Sequence, residues 1–393
     1  MSAPVFDFDV AIVGGGPAGS STALHLVRRG DLPPSRILVL DKARFPREKP
    51  CAGAVSQLGV DALAAIDVPI GVPTVEMRGV RVISGDDVGE TESPMGVVIR
   101  RIEFDAFLLD QARADGVDVR DGDGLKAIER IAGGYHLSSG SGAVFTSRYV
   151  AACDGAGSTT RKLLGMKEPE RKGHLYVLET KPVEKDTGVG RGLIDFDLTI
   201  LDDGLQGYYW DFPTPIGGTT HVSRGIYHAN LSSRSDVKAV LGRSLERRGI
   251  DIAKVKLKPF TTRPFVKGSA TWQKSLVLVG EATGIDQTTG EGIAQAIAMA
   301  EMAARHLASA LASGATTFHD YEREVFSSVV GRHFLQSAWL ARRVYGRFGH
   351  PARRYLLESE YARQAAMRWY RGEKLSLFTQ LRLGLGLVGS AGR

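Results

Sequence analysis

Only two cysteines, Cys51 and Cys153, occur among 393 residues, too few for a disulfide framework and suggestive of a reducing compartment. No apolar run approaches the roughly 18 uninterrupted residues of a membrane-spanning helix. The opening MSAPVFDFDV carries two aspartates and no basic segment, so no secretory leader is expected and the cytoplasm is the expected location. Several catalytic signatures are missing too: there is no G-x-x-x-x-G-K loop, no G-x-S-x-G elbow and no H-E-x-x-H, which removes the chemistry that each would carry. Nine dispersed histidines and two distant cysteines make no zinc site. With 43% hydrophobic and 24% charged residues, the composition is that of a soluble globular chain. Its length allows two domains or one elaborate one.

Acidic residues are scarce at one end. Between 331 and 393, twelve Arg or Lys face three Glu, a balance of +9 within a total of +6, so the remainder is about −3. Trp339, Tyr345, Phe348, Tyr355, Tyr361, Trp369 and Tyr370 are interleaved with these cations. Such a tail suits phosphate contacts and base stacking, docking on an anionic membrane face, or a helical cap with solvated arginines. Phe334, Ala338, Ala341, Tyr345 and Phe348 recur at helical spacing, which favours the cap. Peripheral membrane contact is the second reading, and no nucleic-acid partner is expected.

Glycine is where the sequence is most informative. FDFDVAIV (6–13) reads as a short apolar strand broken by glycine, SSTALHLVRRG as a helix stopped at Gly30, and RILVLD (36–41) as a second buried strand. Strand, helix and strand in this order form a parallel βαβ unit. Gly14, Gly16 and Gly19 fit G-x-G-x-x-G at its turn, and Asp41 ends the next strand 22 residues beyond Gly19. That context is what dinucleotide binding needs. The glycines let backbone approach a diphosphate at a helix start, and the aspartate meets the adenosine ribose. Asp41 also argues against a 2′-phosphate there. Alternating strands follow from 72 to 100, then an amphipathic helix over 102–116, hairpin-like segments to 155, and a strand-rich stretch from 175 to 266 with little helix signal. SLVLVGEATG (275–284) resumes the buried-strand pattern, and TTGEGIAQAIAMAEMAARHL (288–307) is a second glycine-opened helix.

The expected architecture is therefore α/β. A Rossmann-like cofactor domain over 1–72, 100–174 and 269–330 is interrupted by substrate-domain strands at 73–99 and an antiparallel sheet at 175–268. A basic helical region at 331–393 follows.

Three further segments separate FAD from NAD: RRIEFDAFLLDQA, AACDGAGSTTRKLLG and LVGEATGIDQTTGEGIAQAI. All three resemble the signatures of flavoproteins built on the p-hydroxybenzoate hydroxylase plan. Within that plan, DKARFPREKPCAGAVS (41–56), GYYWDFP (207–213) and TTGEGIAQAI (288–297) resemble the geranylgeranyl reductase family. The chain differs where that family commonly shows Asp-Pro (here Gln287-Thr288), Gly-Asp (Gly280-Glu281) and Cys-Gly-Gly (Cys51-Ala52-Gly53).

The resemblance implies FAD, with its ADP half held at Gly14, Gly16, Pro17, Ala18, Gly19, Asp41 and Lys42. It implies Ala52, Gly53 and Arg100 near the cofactor, Asp154 beside the diphosphate, and Gly280-Glu281 at the ribityl or phosphate region. It also puts Gly290, Gly292 and Ile293 beneath the ring. Reduction of a flavin places negative charge on its N1–C2=O edge, and two glycines at a helix start free N–H groups to meet that charge. Glu291 between them is expected to turn outward, as an acidic residue in a first helical turn, with proton handling as the alternative.

The implied activity is hydride transfer from reduced flavin N5 to a carbon–carbon double bond of an isoprenoid or other hydrophobic substrate. Tyr208, Trp210, Phe212 and Pro213 would line its cavity, and Cys51, Tyr209 and His221 are the candidate catalytic residues. No second G-x-G-x-x-G follows a strand, so the electrons are expected from an external donor: NAD(P)H, ferredoxin or reduced flavin. GYYWDFP also resembles an element of flavin-dependent halogenases. The alternative reading is therefore a monooxygenase or halogenase acting on an aromatic or polyketide-like metabolite.

Overall fold

A computed structural model describes residues 5–391 apart from 233, 234 and 267. The first four residues of the segment read as carrying no leader, and the last two of the basic region, lie outside the described residues.

Phe8–Val13 is apolar on both faces, as a parallel strand between helices must be, and Val10, Ala11 and Ile12 are fully buried. It pairs in parallel with Ile37–Asp41 on one side and Val144–Ala152 on the other. Helix Pro17–Arg28 makes the crossover, with proline in its first turn, where the missing N–H costs nothing. Asp118–Asp121 extends this sheet at one edge, and Leu276–Leu278 with Trp272–Gln273 at the other. The hairpin Leu125–Ile131/Gly134–Ser139 joins it through the first half of Val144–Ala152.

The second sheet also has eight strands, in the order 258–262, 173–180, 219–228, 207–216, 193–197, 75–84, 87–98 and 54–56. Its neighbours are antiparallel except for Leu193–Asp197 beside Val75–Ser84. Here the reading of 175–266 as having little helix needs correction, because Val237–Glu246 is a helix capped by the Asp236 carboxylate. Val237, Val240, Leu241 and Leu245 keep helical spacing and bury against Leu178, Tyr209 and Ile226.

Helix Ile293–Ser313 packs along Pro17–Arg28, so the two glycine-opened helices share one core. Helices Val329–Arg342, Gly349–Glu358, Glu360–Tyr370 and Leu377–Ala391 follow. Gly349–Glu358 and Glu360–Tyr370 lie on strand Asp87–Val98, and Tyr345, Met367 and Tyr370 join the core of the second sheet. Tyr345 and Tyr370 pack on the body as a cap does, whereas Trp339 is 56% exposed. Among the described residues no helix is long and apolar enough to cross a membrane.

Candidate active site

Between the two sheets lies a cavity of about 490 Å³ onto which both glycine turns open. Gly16 precedes Pro17–Arg28 and Gly292 precedes Ile293–Ser313, and neither position supplies a side-chain cap. Ser158, Asp236, Ser328 and Ser359 accept backbone N–H groups at other helix starts. Helices Gln57–Ala64, Arg101–Ala114 and His319–Ser327 also begin without such a cap, but Gly16 and Gly292 are set apart by lining one cavity. The two uncapped starts leave N–H groups and positive dipole ends toward one space, and both favour negative charge there.

At the first turn, Asp41 accepts the N–H groups of Gly15 (2.7 Å) and Ala43 (2.8 Å). The turn is thereby tied to the end of the second strand. Gly19 does not line the cavity; it packs against the carbonyl of Gly14. Above Gly16 stands Arg47, with Nη2 3.2 Å from Asp105. Its Nη1 is buried and has no partner. Burial pulls the Arg47 guanidinium below its ordinary pKa, with Asp105 opposing. Arg101 lines the cavity and pairs with Asp105 at 2.6 and 2.7 Å. Arg100, the expected cofactor neighbour, does not line it. It occupies the extended position before helix Arg101–Ala114 and turns to Glu179 (3.1 Å) and Glu103 (3.3 Å). One residue of helix phase separates the two arginines.

The second turn is held from three sides. Gly290 adopts φ +69°, a left-handed conformation that glycine accepts without strain. Tyr208, Tyr227 and Tyr345 donate their hydroxyls to the carbonyls of Thr289, Gln287 and Thr288. Fully buried Asp286 accepts from Ser337 and Thr289 and meets His333 Nε2 at 3.0 Å. His333 itself stacks on Trp369. Glu291 does not turn outward: it is 6% exposed and lines the cavity. The helix begins only at Ile293, so Glu291 precedes the cap and is not in the first turn.

The far wall comes from strand Gly207–Ile216. Successive side chains alternate faces, and Tyr208, Trp210 and Phe212 line the cavity with Phe196 and Tyr227. Gly225 pairs with Trp210, and a Cβ there would fall 2.2 Å from the indole, so the missing side chain makes room for the ring. Trp210 Nε1 is buried without a partner. Tyr209 lies on the opposite face, with its hydroxyl 2.8 Å from Asp211; it and Pro213 are outside the cavity lining. His221 shares the face of Tyr227 but lies six residues along the strand, about 20 Å away, beside Thr219. Of the three catalytic candidates, only Cys51 reaches the cavity.

Pro17, Ala18, Lys42, Ala52, Asp154, Glu281 and Ile293 line it as well, whereas Gly53 and Gly280 do not. Gly280 sits behind the site, between Ala18 and Ala296. The Asp154 carboxylate accepts from Ser158 Oγ (2.6 Å) and Thr160 N (2.8 Å), which ties down the loop beside the first turn. Sequence reasoning missed Arg47, Lys49, Tyr227 and Tyr370. Lys49 stands over the Phe260 ring, and burial pulls its ammonium down to about 8, with Glu281 opposing. Both cations fall inside DKARFPREKPCAG, where charge next to a glycine–cysteine turn was the available signal.

The residues fit FAD. An unpartnered buried guanidinium nitrogen and two uncapped helix starts suit a diphosphate and an electron-rich ring edge, and the aromatic wall suits an apolar partner. Residues 7–192 match the FAD binding domain family. The chain is 27% identical over 331 residues to the chloroplastic geranylgeranyl diphosphate reductase of Oryza sativa subsp. japonica, covering 78% of this chain and 67% of that protein. It is 26% identical over 345 residues to digeranylgeranylglycerophospholipid reductase 1 of Methanothermobacter thermautotrophicus, covering 81% and 82%. The crystal structure of a geranylgeranyl bacteriochlorophyll reductase-like protein from Thermoplasma acidophilum superposes with a TM-score of 0.72 at 21% identity, covering 96% of this chain and 95% of that one. The chain is therefore an FAD-dependent oxidoreductase with the p-hydroxybenzoate hydroxylase-like flavoprotein fold, similar in sequence over most of its length to reductases of geranylgeranyl type.

Proposed function

We propose that the protein reduces carbon–carbon double bonds of an isoprenoid or similarly apolar chain. The observation that carries this reading is the wall of Tyr208, Trp210, Phe212 and Phe196 facing both glycine turns across one cavity. Such a wall excludes water and offers an extended hydrocarbon a dry surface. Gly14, Gly16 and Asp41 would hold the ADP half of FAD, Arg47 would meet the diphosphate, and Gly290 and Gly292 would face the ring. Reduced FAD supplies the two electrons and one hydrogen, and an external donor, whether NAD(P)H, ferredoxin or reduced flavin, restores them.

The test is anaerobic. Holoenzyme reduced with dithionite and given a polyprenyl diphosphate is expected to yield a product heavier by two hydrogens per double bond. Trp210→Ala is expected to lower kcat/KM by about tenfold or more through loss of the ring's packing, with FAD affinity unchanged. If no product heavier by two hydrogens forms and an aromatic substrate is hydroxylated or halogenated once oxygen is admitted, the reductase reading is replaced by the monooxygenase or halogenase one.

Peripheral contact with an anionic lipid surface forms part of this reading. Leu377, Phe378, Leu381, Leu385 and Val388 are 60–74% exposed and fall within about 100° of one face of helix Leu377–Ala391. Thr379 and Ser390 are buried on the other side of that helix. An apolar stripe beside a strongly basic region complements an anionic leaflet in both respects. Full-length holoenzyme is expected to co-sediment with vesicles containing phosphatidylserine and to be released by salt. A Leu381→Asp/Leu385→Asp variant is expected to stay in the supernatant. Concentration-dependent dimers that the same variant abolishes, without vesicle binding, would assign the stripe to a second copy of the chain instead.

A further inference from the structure

We propose that Glu291 is the catalytic acid, giving the second hydrogen as a proton to the double bond under reduction. The inference rests on the alkene-reductase reading above and names the group that this reading lacks. Glu291 stands in the cavity wall between Gly290 and Gly292, and is 6% exposed. Gln295 Nε2 donates to its Oε2 at 3.0 Å. Its Oε1, together with Gln295 Oε1 and Ser56 Oγ, is buried without a hydrogen-bond partner. A carboxylate in this corner would leave a charged oxygen unpaired in a medium that cannot solvate it. The protonated acid removes that charge and adds a second donor, beside the Ser56 hydroxyl, to this cluster of oxygens.

The surrounding charges agree. Burial pushes the carboxyl up to about 7; His333 opposes this and Asp286 adds to it. Ser56 on strand Ala54–Ser56 and Gln295 on the long helix are its polar neighbours, and both pull it back down. Tyr208 from the second sheet and Tyr370 from helix Glu360–Tyr370 face it as well. Both tyrosines keep their protons because burial raises them well above the ordinary phenol range. Tyr208 and Tyr227 also spend their hydroxyls on backbone carbonyls, while Tyr209 and His221 lie outside the cavity. Glu291 is a lining carboxyl whose proton leaves near neutrality, whereas Lys49, brought down to about 8, stands over the Phe260 ring.

The step balances. The π bond breaks and two C–H bonds form, one with the hydride from reduced FAD and one with the proton from Glu291. The alkene is reduced, the cofactor is oxidised, and water returns a proton to the Glu291 carboxylate.

Glu291→Gln keeps the shape and loses the proton. It is expected to bind FAD as the parent does and to be reduced by dithionite as the parent is. Alkene-driven reoxidation in a single anaerobic turnover is expected to fall about 10²- to 10⁴-fold. Glu291→Asp is expected to recover part of that loss. In the parent the same rate is expected to fall with rising pH above about 7, and in Glu291→Gln it is expected to be flat. Infrared difference spectra supply a readout apart from turnover, a protonated-carboxyl C=O band in the parent that is absent from Glu291→Gln. Equal reoxidation rates for parent and Glu291→Gln, or no such band, would overturn the assignment. A parent that reduces no polyprenyl alkene sinks the reductase reading and this inference with it; that case is recognised because parent and variants are then equally inert.

Discussion

Gly19→Ala is expected to lose thermal stability and FAD affinity together, whereas Gly16→Ala folds normally and loses cofactor affinity alone. The difference lies in what each added methyl meets. At Gly19 a Cβ would stand 1.8 Å from the carbonyl oxygen of Gly14 and 3.0 Å from its carbon. That carbonyl belongs to the backbone turn joining Phe8–Val13 to Pro17–Arg28, so helix and strand must separate to admit the methyl group. Overpacking of this kind costs about 1–3 kcal/mol where side chains can yield, and here the obstacle is main chain. Because the helix start and the Asp41-bound turn move together, both the melting temperature of the apoprotein and FAD binding should suffer. At Gly16 the nearest atom is Arg47 Nη2, 3.3 Å away at the end of a flexible side chain, and a methyl there displaces only the space a diphosphate would enter. A drop in FAD affinity of at least about 100-fold for Gly19→Ala, or roughly 3 kcal/mol, is measurable by fluorescence titration alongside circular-dichroism melts. Equal behaviour of the two variants would contradict this division of roles.

The contrast also marks what could be read from the sequence. The first turn was legible because each of its requirements is local: strand, glycines, helix and acidic strand end lie between Phe8 and Asp41. The aromatic wall was legible at Tyr208, Trp210 and Phe212. The same two-residue period should have excluded Tyr209, whose side chain must point to the opposite face of the sheet. Glu291 was misjudged because the helix boundary falls two residues later than the glycines suggest. A residue before the cap follows the loop, and this loop is held by Tyr208, Tyr227, Tyr345 and Ser337. Those partners come from elements far apart in the chain, and no local pattern announces them. Tyr370 was invisible for the same reason, since it reaches the cavity only once the second sheet and the terminal helices have come together.

Arg224→Met is expected to destabilise the protein by about 3–5 kcal/mol in denaturant unfolding, the cost of leaving buried carboxylates without their partner. Arg224 is fully buried and holds Asp186 at 2.9 and 2.6 Å, Asp211 at 2.6 Å and Thr180 Oγ1 at 2.8 Å. Asp211 is shared with Arg248, which also reaches Asp197 at 3.1 Å. Close by, burial pushes the Asp195 carboxyl up to about 7, with Arg81 opposing, so this corner already carries more negative charge than it can comfortably pair. Methionine matches the volume of the stem but supplies none of the hydrogen bonds. Arg224→Lys keeps the charge and forfeits the planar fork that grips Asp186 with two nitrogens, and should fall between the two. The consequence reaches the cavity because one strand carries both features. Asp211 points into the ion cluster, while its neighbours Trp210 and Phe212 point the other way into the apolar wall. Loosening the cluster therefore shifts the wall, with the Tyr208 and Tyr227 that hold the second glycine turn, and leaves the first turn on the parallel sheet where it was. Among variants that remain folded, the KM for the proposed hydrophobic substrate should rise severalfold while FAD affinity stays at the parent value. An equal loss of both would mean that the two sheets respond as one body.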